Sequence, residues 1–300
     1  MTEMNRRDFI KDLAVGGAVL HWAPGLLAGQ APAGRPELAI VEGESPAAIT
    51  RAAVAALGGM RQFVAKGDRI LIKPNIGWDR TPEMAACTNP EVVKALVELV
   101  QEAGARSVTV IDNTTNQAKR CYVRSGILDA VKSTGASMPY ADESRVKRTA
   151  LKGEWLKEWD VLTDVLEADK IINVPIAKHH SLCRLTMGMK NWLGAIGGAR
   201  NQLHQDLDRA MVDLTAFFKP ALTVLDAYRI LVRNGPQGGR VSDTKLVKTV
   251  VAGRDPVAVD AVGAGFFDIK PQELLYLKLA QERGLGKFDW EKLRVEKRKI

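Results

Sequence analysis

The sequence predicts an α/β fold: a largely parallel mixed sheet with helices on both faces and a ligand crevice at the strand carboxyl ends. Three observations carry this expectation. Short apolar runs rich in β-branched residues recur along the chain. Helical patterns with recognisable caps lie between them. Polar, turn-forming residues follow nearly every apolar run, and the crevice outside those strand ends is where open parallel sheets bind ligands.

Taken in order, "ELAIVE" (37–42) reads as the first strand. "SPAAITRAAVAALGG" then reads as a helix, with Ser45 as cap, Pro46 in its first turn and Gly58 near its stop. "RILIKP" (69–74) is a strand, and "NPEVVKALVELVQEAGA" (89–105) repeats the helical grammar with Asn89, Pro90, Glu91 and Gly104. Within it Val92, Leu96, Leu99 and Val100 fall on one face. Further strands are expected at "SVTVID" (107–112), "KIINVP" (170–175), "LTVLDA" (222–227) and "VKTVVAG" (247–253). The least regular stretch, residues 137–160, is expected to form a hairpin or the edge of a small subdomain. "DLDRAMVDL" (206–214) reads as an amphipathic helix with its acids on a solvated face.

The first residues have a different character. Arg6 and Arg7 precede the apolar stretch "LAVGGAVLHWAPGLLA", and small residues follow. Together with Phe9 and Lys11 this resembles a twin-arginine (Tat) signal. Residues 1–33 are therefore expected to be a signal peptide and residues 34–300 a single α/β domain, exported to the periplasm by the Tat machinery. Gly16, Gly17 and Pro24 interrupt the apolar part, so no stable membrane anchor is expected. The Tat route carries folded proteins, which draws attention to a cofactor loaded before export.

The chain is 46% hydrophobic and 26% charged, the balance of a folded globular protein. Its net charge of +8 suits anionic ligands, but the basic residues are scattered and no nucleic-acid motif accompanies them. Cys87, Cys121 and Cys183 form no CxxC pair, so neither an iron–sulfur cluster nor a structural zinc site is expected.

The strand ends supply the candidate site. Lys73 is followed by Pro74, Asn75, Ile76 and Gly77; "SVTVI" by Asp112 and Asn113; "KIINV" by Pro175 and then Lys178, His179 and His180. "LTVL" is followed by Asp226, and "KTVVA" by Gly253, Arg254 and Asp255. These five segments are expected to meet at one edge. A lysine at a buried strand end, such as Lys73, needs a partner. Asp112 and Asn113 have the simpler alternative of capping the next helix. In "LTMGMKNWLGAIGG", Thr186 and Lys190 are spaced to share a helix face, and Gly194, Gly197 and Gly198 would let backbone approach a ligand. Lysines with glycine N–H groups suit carboxylate or phosphate oxygens. No Walker A or GxGxxG pattern is present, so no nucleotide site is read here. His180 and His204 are candidate metal ligands, with Asp206, Asp226 or Asp255 as oxygen donors. His180 equally suits general acid or base chemistry.

"IKPNIG", "PIAKHHSLCRLTMGMKNWLGAIGG", "TVLDAYRILVRNGPQGG" and "VAGRDPVAVDAVG" together resemble the DUF362 family. The family pattern falls on Lys73-Pro74-Asn75, on Lys178 and His180, on Lys190, Asn191 and Gly194, and on Asp226 and Asp260. Some relatives append a ferredoxin-like module; its cysteine motifs are not found here. The functional expectation is an exported enzyme acting on a small anionic ligand. In it Lys73, Lys178 and His180 are catalytic. Asn75, Lys190, Asn191, Gly194, Asp226 and Asp255 bind the ligand, a metal ion or a redox cofactor is a candidate, and the reaction is either redox or acid/base chemistry. The alternative is a non-catalytic periplasmic protein that binds a ligand or delivers a cofactor. A third class, an interaction scaffold, predicts no shared pocket.

Overall fold

The structure, a computed structural model, describes residues 34–300. The twin-arginine motif and the rest of residues 1–33 lie outside the described residues.

The central sheet is mixed and largely parallel. Its main path runs β11 (Val295–Lys299), β1 (Leu38–Glu42), β10 (Thr244–Gly253), β9 (Leu222–Leu231), β6 (Lys170–Val174), β2 (Arg69–Pro74) and β3 (Ser107–Val110). Along this path β11 and β1 pair in parallel, as do β9 with β6, β6 with β2 and β2 with β3. Both neighbours of β10, namely β9 and β1, pair with it antiparallel, so β10 alone runs the other way. A branch continues past the end of β6: β7 (Ile176–His180) pairs parallel to β9, and β8 (Arg184–Thr186) folds back antiparallel on β7.

Both faces of the sheet are covered, as the alternation of buried residues requires. Ala39, Val41, Ile70, Ile72, Ile172 and Val174 pack on one face under α1 (Pro46–Ala56), α2 (Pro90–Glu102), α3 (Ala118–Arg124) and α4 (Ile127–Lys132). Their strand neighbours point the other way. Leu38, Ile40 and Val251 pack with α7 (Pro256–Gly265) and α8 (Leu275–Glu282), while Leu71 and Ile171 pack with α6 (Leu207–Phe218). The helix starts follow from their caps. Ser45 accepts from the Ala48 amide, and Asn89 accepts from the Glu91 amide at 2.8 Å, each ahead of a proline. Residues 137–160 contribute β4 (Val146–Ala150), which forms a two-stranded hairpin with β5 (Glu158–Leu162). A short helix, α5 (Thr163–Glu167), leads from there to β6.

Two expectations are corrected here. Asp255 follows β10, the reversed strand of the main path, so it lies at the edge opposite the carboxyl ends of β2, β3 and β6; the end of β10 at Gly253 sits beside Thr223, near the start of β9. There it caps α7, accepting from the amides of Val257 and Ala258, and it also accepts from Lys287. The segment between β9 and β10 holds turn residues Asn234, Gly235, Pro236, Gly238 and Gly239 and a single 3-10 turn, Val241–Asp243, rather than the α-helix that usually carries a parallel crossover. The second correction concerns α6, whose acids are not all solvated. Asp213 is buried and accepts from the amides of Glu154, Trp155 and Leu156 while pairing with Arg283. It thereby fastens the turn between β4 and β5 to the body of the protein.

Candidate functional site

A cleft of about 550 Å³ opens at the carboxyl ends of β2 and β3, bounded by β7, β8 and the segment 190–204. Its floor begins with Lys73, the last residue but one of β2. Lys73 is 1% exposed, and its partner is Asp112 from the end of the neighbouring strand, Nζ to Oδ1 at 2.6 Å. Burial pushes the lysine down and the carboxyl up from their ordinary values, and mutual attraction opposes both shifts. Lys73 also donates to the Pro74 carbonyl and to Asn191 Oδ1, at 2.9 and 3.1 Å. Asp112 accepts from the Ile76 amide, so it does not cap the next helix but ties the segment after β2 to β3.

Asn191 joins the pieces. Its Nδ2 donates to the Lys73 carbonyl and to Asn173 Oδ1, at 3.0 and 2.8 Å, and its Oδ1 lies 3.4 Å from Asn75 Nδ2. It opens a 3-10 helix, Lys190–Ala195, in which Gly194 passes directly over the Lys73–Asp112 pair. A Cβ on Gly194 would overlap the Asp112 carboxylate and stand 2.5 Å from Lys73 Nζ. Thr186 does not share a helix with Lys190; it ends β8, opposite Lys178 on β7. Its hydroxyl is buried and has no hydrogen-bond partner among the described residues, although it lines the cleft.

Lys178 and His180 are two apart on β7, so their side chains share a face. Lys178 is 1% exposed and donates to the Ala86 carbonyl at 2.5 Å and to Asn75 Oδ1 at 3.2 Å, both uncharged acceptors. Burial pushes its amine down to about 7. His180 accepts from the Leu182 amide through Nδ1 at 3.1 Å, which places the proton of the neutral ring on Nε2. Burial, then the positive charges of Lys190 and Lys178, push this imidazole down to about 3. It is therefore a neutral hydrogen-bond donor at ordinary pH. His179 faces away and accepts from the Gly235 amide.

Two further cations line the cleft. Lys190 makes no hydrogen bond or ion pair among the described residues, and burial lowers its amine. Arg200 donates to the carbonyls of Asn113, Leu193 and Thr114 but meets no carboxylate within ion-pair distance. The sequence carries no signal for Arg200, which lies outside every motif and reaches the cleft through the turn after Gly198.

Asp226 does not line the cleft. It accepts from the amides of Asn89 and Tyr228, so it supports the loop whose Ala86 carbonyl holds Lys178, and burial raises its carboxyl to about 6. Asp260 plays a similar part, accepting from Gly188 and Met189 just ahead of Lys190, with its carboxyl raised to about 7 by burial. His204 shares the cleft with His180, but the expected oxygen donors are elsewhere: Asp206 caps α6, Asp226 lies beneath, and Asp255 is at the far edge. Among the described residues no three His, Cys, Asp or Glu side chains gather to hold a metal ion. The metal set expected from the sequence is thus not assembled. Cys87, Cys121 and Cys183 are all free thiols.

The profile of DUF362, described as a domain of unknown function, matches residues 70–265. The chain belongs to the DUF362 family. The matched span holds every residue of the cleft floor, from Lys73 to Arg200. The chain is also similar to the "thylakoid-associated protein sll1697" of Synechocystis sp., with 29% identity over 253 residues, 82% of this chain and 77% of that protein. Among solved structures it resembles the lactate racemase apoprotein from Thermoanaerobacterium thermosaccharolyticum, with a TM-score of 0.48 and 14% identity, over 80% of this chain and 59% of that one. No helix among the described residues is long and apolar enough to cross a membrane.

Proposed function

We propose that this protein is an exported enzyme that binds a small organic anion in the cleft and transfers a proton to or from it. The observation that carries this reading is the uncompensated charge. Lys178, Lys190 and Arg200 line one cleft with no carboxylate paired to any of them, while the cleft's Asp112 is taken by Lys73. Lys178 is buried and Lys190 and Arg200 are half-buried; cations withdrawn from water without counterions favour an anionic guest. The unpartnered Thr186 hydroxyl and the His180 Nε2–H add two more groups suited to its oxygens.

Lys178 is the base in this reading. With an amine near 7 it exists in both forms at neutral pH, so it can accept a proton and return it. Asn75 and the Ala86 carbonyl fix its position through two of its hydrogens. The test is solvent exchange. The protein is incubated in D2O with small 2-oxo, 3-oxo and malonic acids, and C–H exchange is followed by NMR. Exchange above the uncatalysed rate is expected, and Lys178→Met should abolish it. Binding without exchange for every acid would instead favour the ligand-binding or delivery role.

Export is the second part of the proposal and rests on the Arg6–Arg7 pair. Replacing both with lysine should leave the protein in the cytoplasmic fraction. Normal recovery from the periplasm after that change would remove the twin-arginine route.

A further inference from the structure

The cleft is polar at its floor and apolar at its mouth. Lys73, Lys178, Thr186, Asn191 and Asp112 are each at most 3% exposed. Above them, the half-buried Trp78, Leu193 and Pro236 and the exposed Leu182 line the same cleft. Leu182 is 70% exposed, the most open large hydrophobic side chain among the described residues. These four come from four places: the segment after β2, the β7–β8 turn, the 3-10 helix after β8, and the loop after β9. Their convergence over one charged floor is not the scatter of single apolar residues that surfaces ordinarily show.

We infer that the ligand is a monomeric amphiphilic anion: a carboxylate or phosphate head on the cationic floor, and an alkyl or aryl body held between Trp78, Leu182, Leu193 and Pro236. The inference rests on the anion reading above and names its substrate class. A head alone would leave the apolar rim in water. A body alone would leave Lys178, Lys190 and Arg200 without a counterion. A volume of about 550 Å³ suits a ligand of that extended shape better than a bare inorganic ion.

The test is isothermal titration with acetate, butyrate, hexanoate and octanoate, and with methyl and hexyl phosphate, all below their aggregation concentrations. Affinity should climb about fourfold per methylene, corresponding to about 0.8 kcal/mol each, until the chain outgrows the rim. The better of the two head series identifies the head. Leu182→Ser and Trp78→Ala should each lower the octanoate-to-acetate affinity ratio several-fold. Leu182 is exposed, so its replacement leaves the fold intact. Equal affinity for acetate and octanoate would overturn the inference and leave the anion reading standing. A chain-length gain that both variants retain would also overturn it, since the body would then lie elsewhere. Failure of every acid and phosphate to bind would remove the anion reading itself.

Discussion

The chemistry of the cleft turns on Lys178, a lysine buried beside uncharged acceptors. Lys178 in the unfolded chain titrates at about 10.4. In the folded protein it titrates at about 7. Between these values the unfolded chain binds more protons, so this group makes stability rise with pH and is most destabilising below pH 7. Lys178→Met should accordingly raise the melting temperature of the unliganded protein, more at pH 6 than at pH 9.5. A gain that is flat with pH would show that the amine is not displaced from its ordinary range. His180→Gln keeps a hydrogen-bonding side chain but loses the Nε2–H of a ring fixed through Nδ1. It should weaken anion binding about tenfold, as loss of a hydrogen bond to a charged group does. His179→Gln, whose ring meets Gly235 instead, should have far less effect in the same titration. The sequence made Lys73, Asn75, Lys178, His180, Lys190 and Asn191 visible because each follows a strand end or sits in a dense polar motif. Arg200 was invisible, since a single arginine in a turn carries no periodicity. Asp226 looked like a ligand contact and Asp260 like a further position of the family pattern, yet each spends its oxygens on backbone amides.

At the level of elements, the floor depends on Gly194 for close approach. The 3-10 helix crosses the Lys73–Asp112 pair so tightly that a methyl group would occupy the carboxylate's place. Gly194→Ala should therefore separate the pair or lift the helix. Disrupting a buried ion pair costs about 3–5 kcal/mol, so a loss of unfolding free energy of that size is expected in denaturant titration. A neutral effect would mean the helix can retreat freely, and the floor would not be rigid. The strands and capped helices were legible from their two periodicities and from Ser45, Asn89 and the prolines behind them. Strand direction was not, because alternation reads the same both ways along a strand. That is why Asp255 was expected in the crevice: β10 reverses after a glycine-rich loop, and its end faces the opposite edge. The short strands β7 and β8 were hidden for another reason. Their sequence, "IAKHH" and "RLT", is too polar to announce a buried strand, since Lys178, His180 and Thr186 face the cleft while His179 and Arg184 point elsewhere.

Across the whole molecule, the net charge of +8 is spread over a surface where many basic residues are paired, among them Arg69 with Asp169 and Arg148 with Glu158. Such exposed pairs contribute little to stability and do not select a ligand. The cleft differs because its cations converge on one floor and three of them, the buried Lys178 and the half-buried Lys190 and Arg200, have no carboxylate partner, which is the central claim of the account. Calorimetric titration of the unliganded protein with a small carboxylate at pH 6.5 and pH 9, for the parent and for Lys190→Ala, tests it most directly. The account predicts one anion per chain and tighter binding at the lower pH, because Lys178 loses its charge as pH rises through about 7. It also predicts a tenfold or greater loss of affinity in Lys190→Ala with an unchanged or higher melting temperature, since that amine has no partner among the described residues to lose. Binding that ignores both pH and Lys190, or a variant that binds normally but melts much earlier, would contradict it.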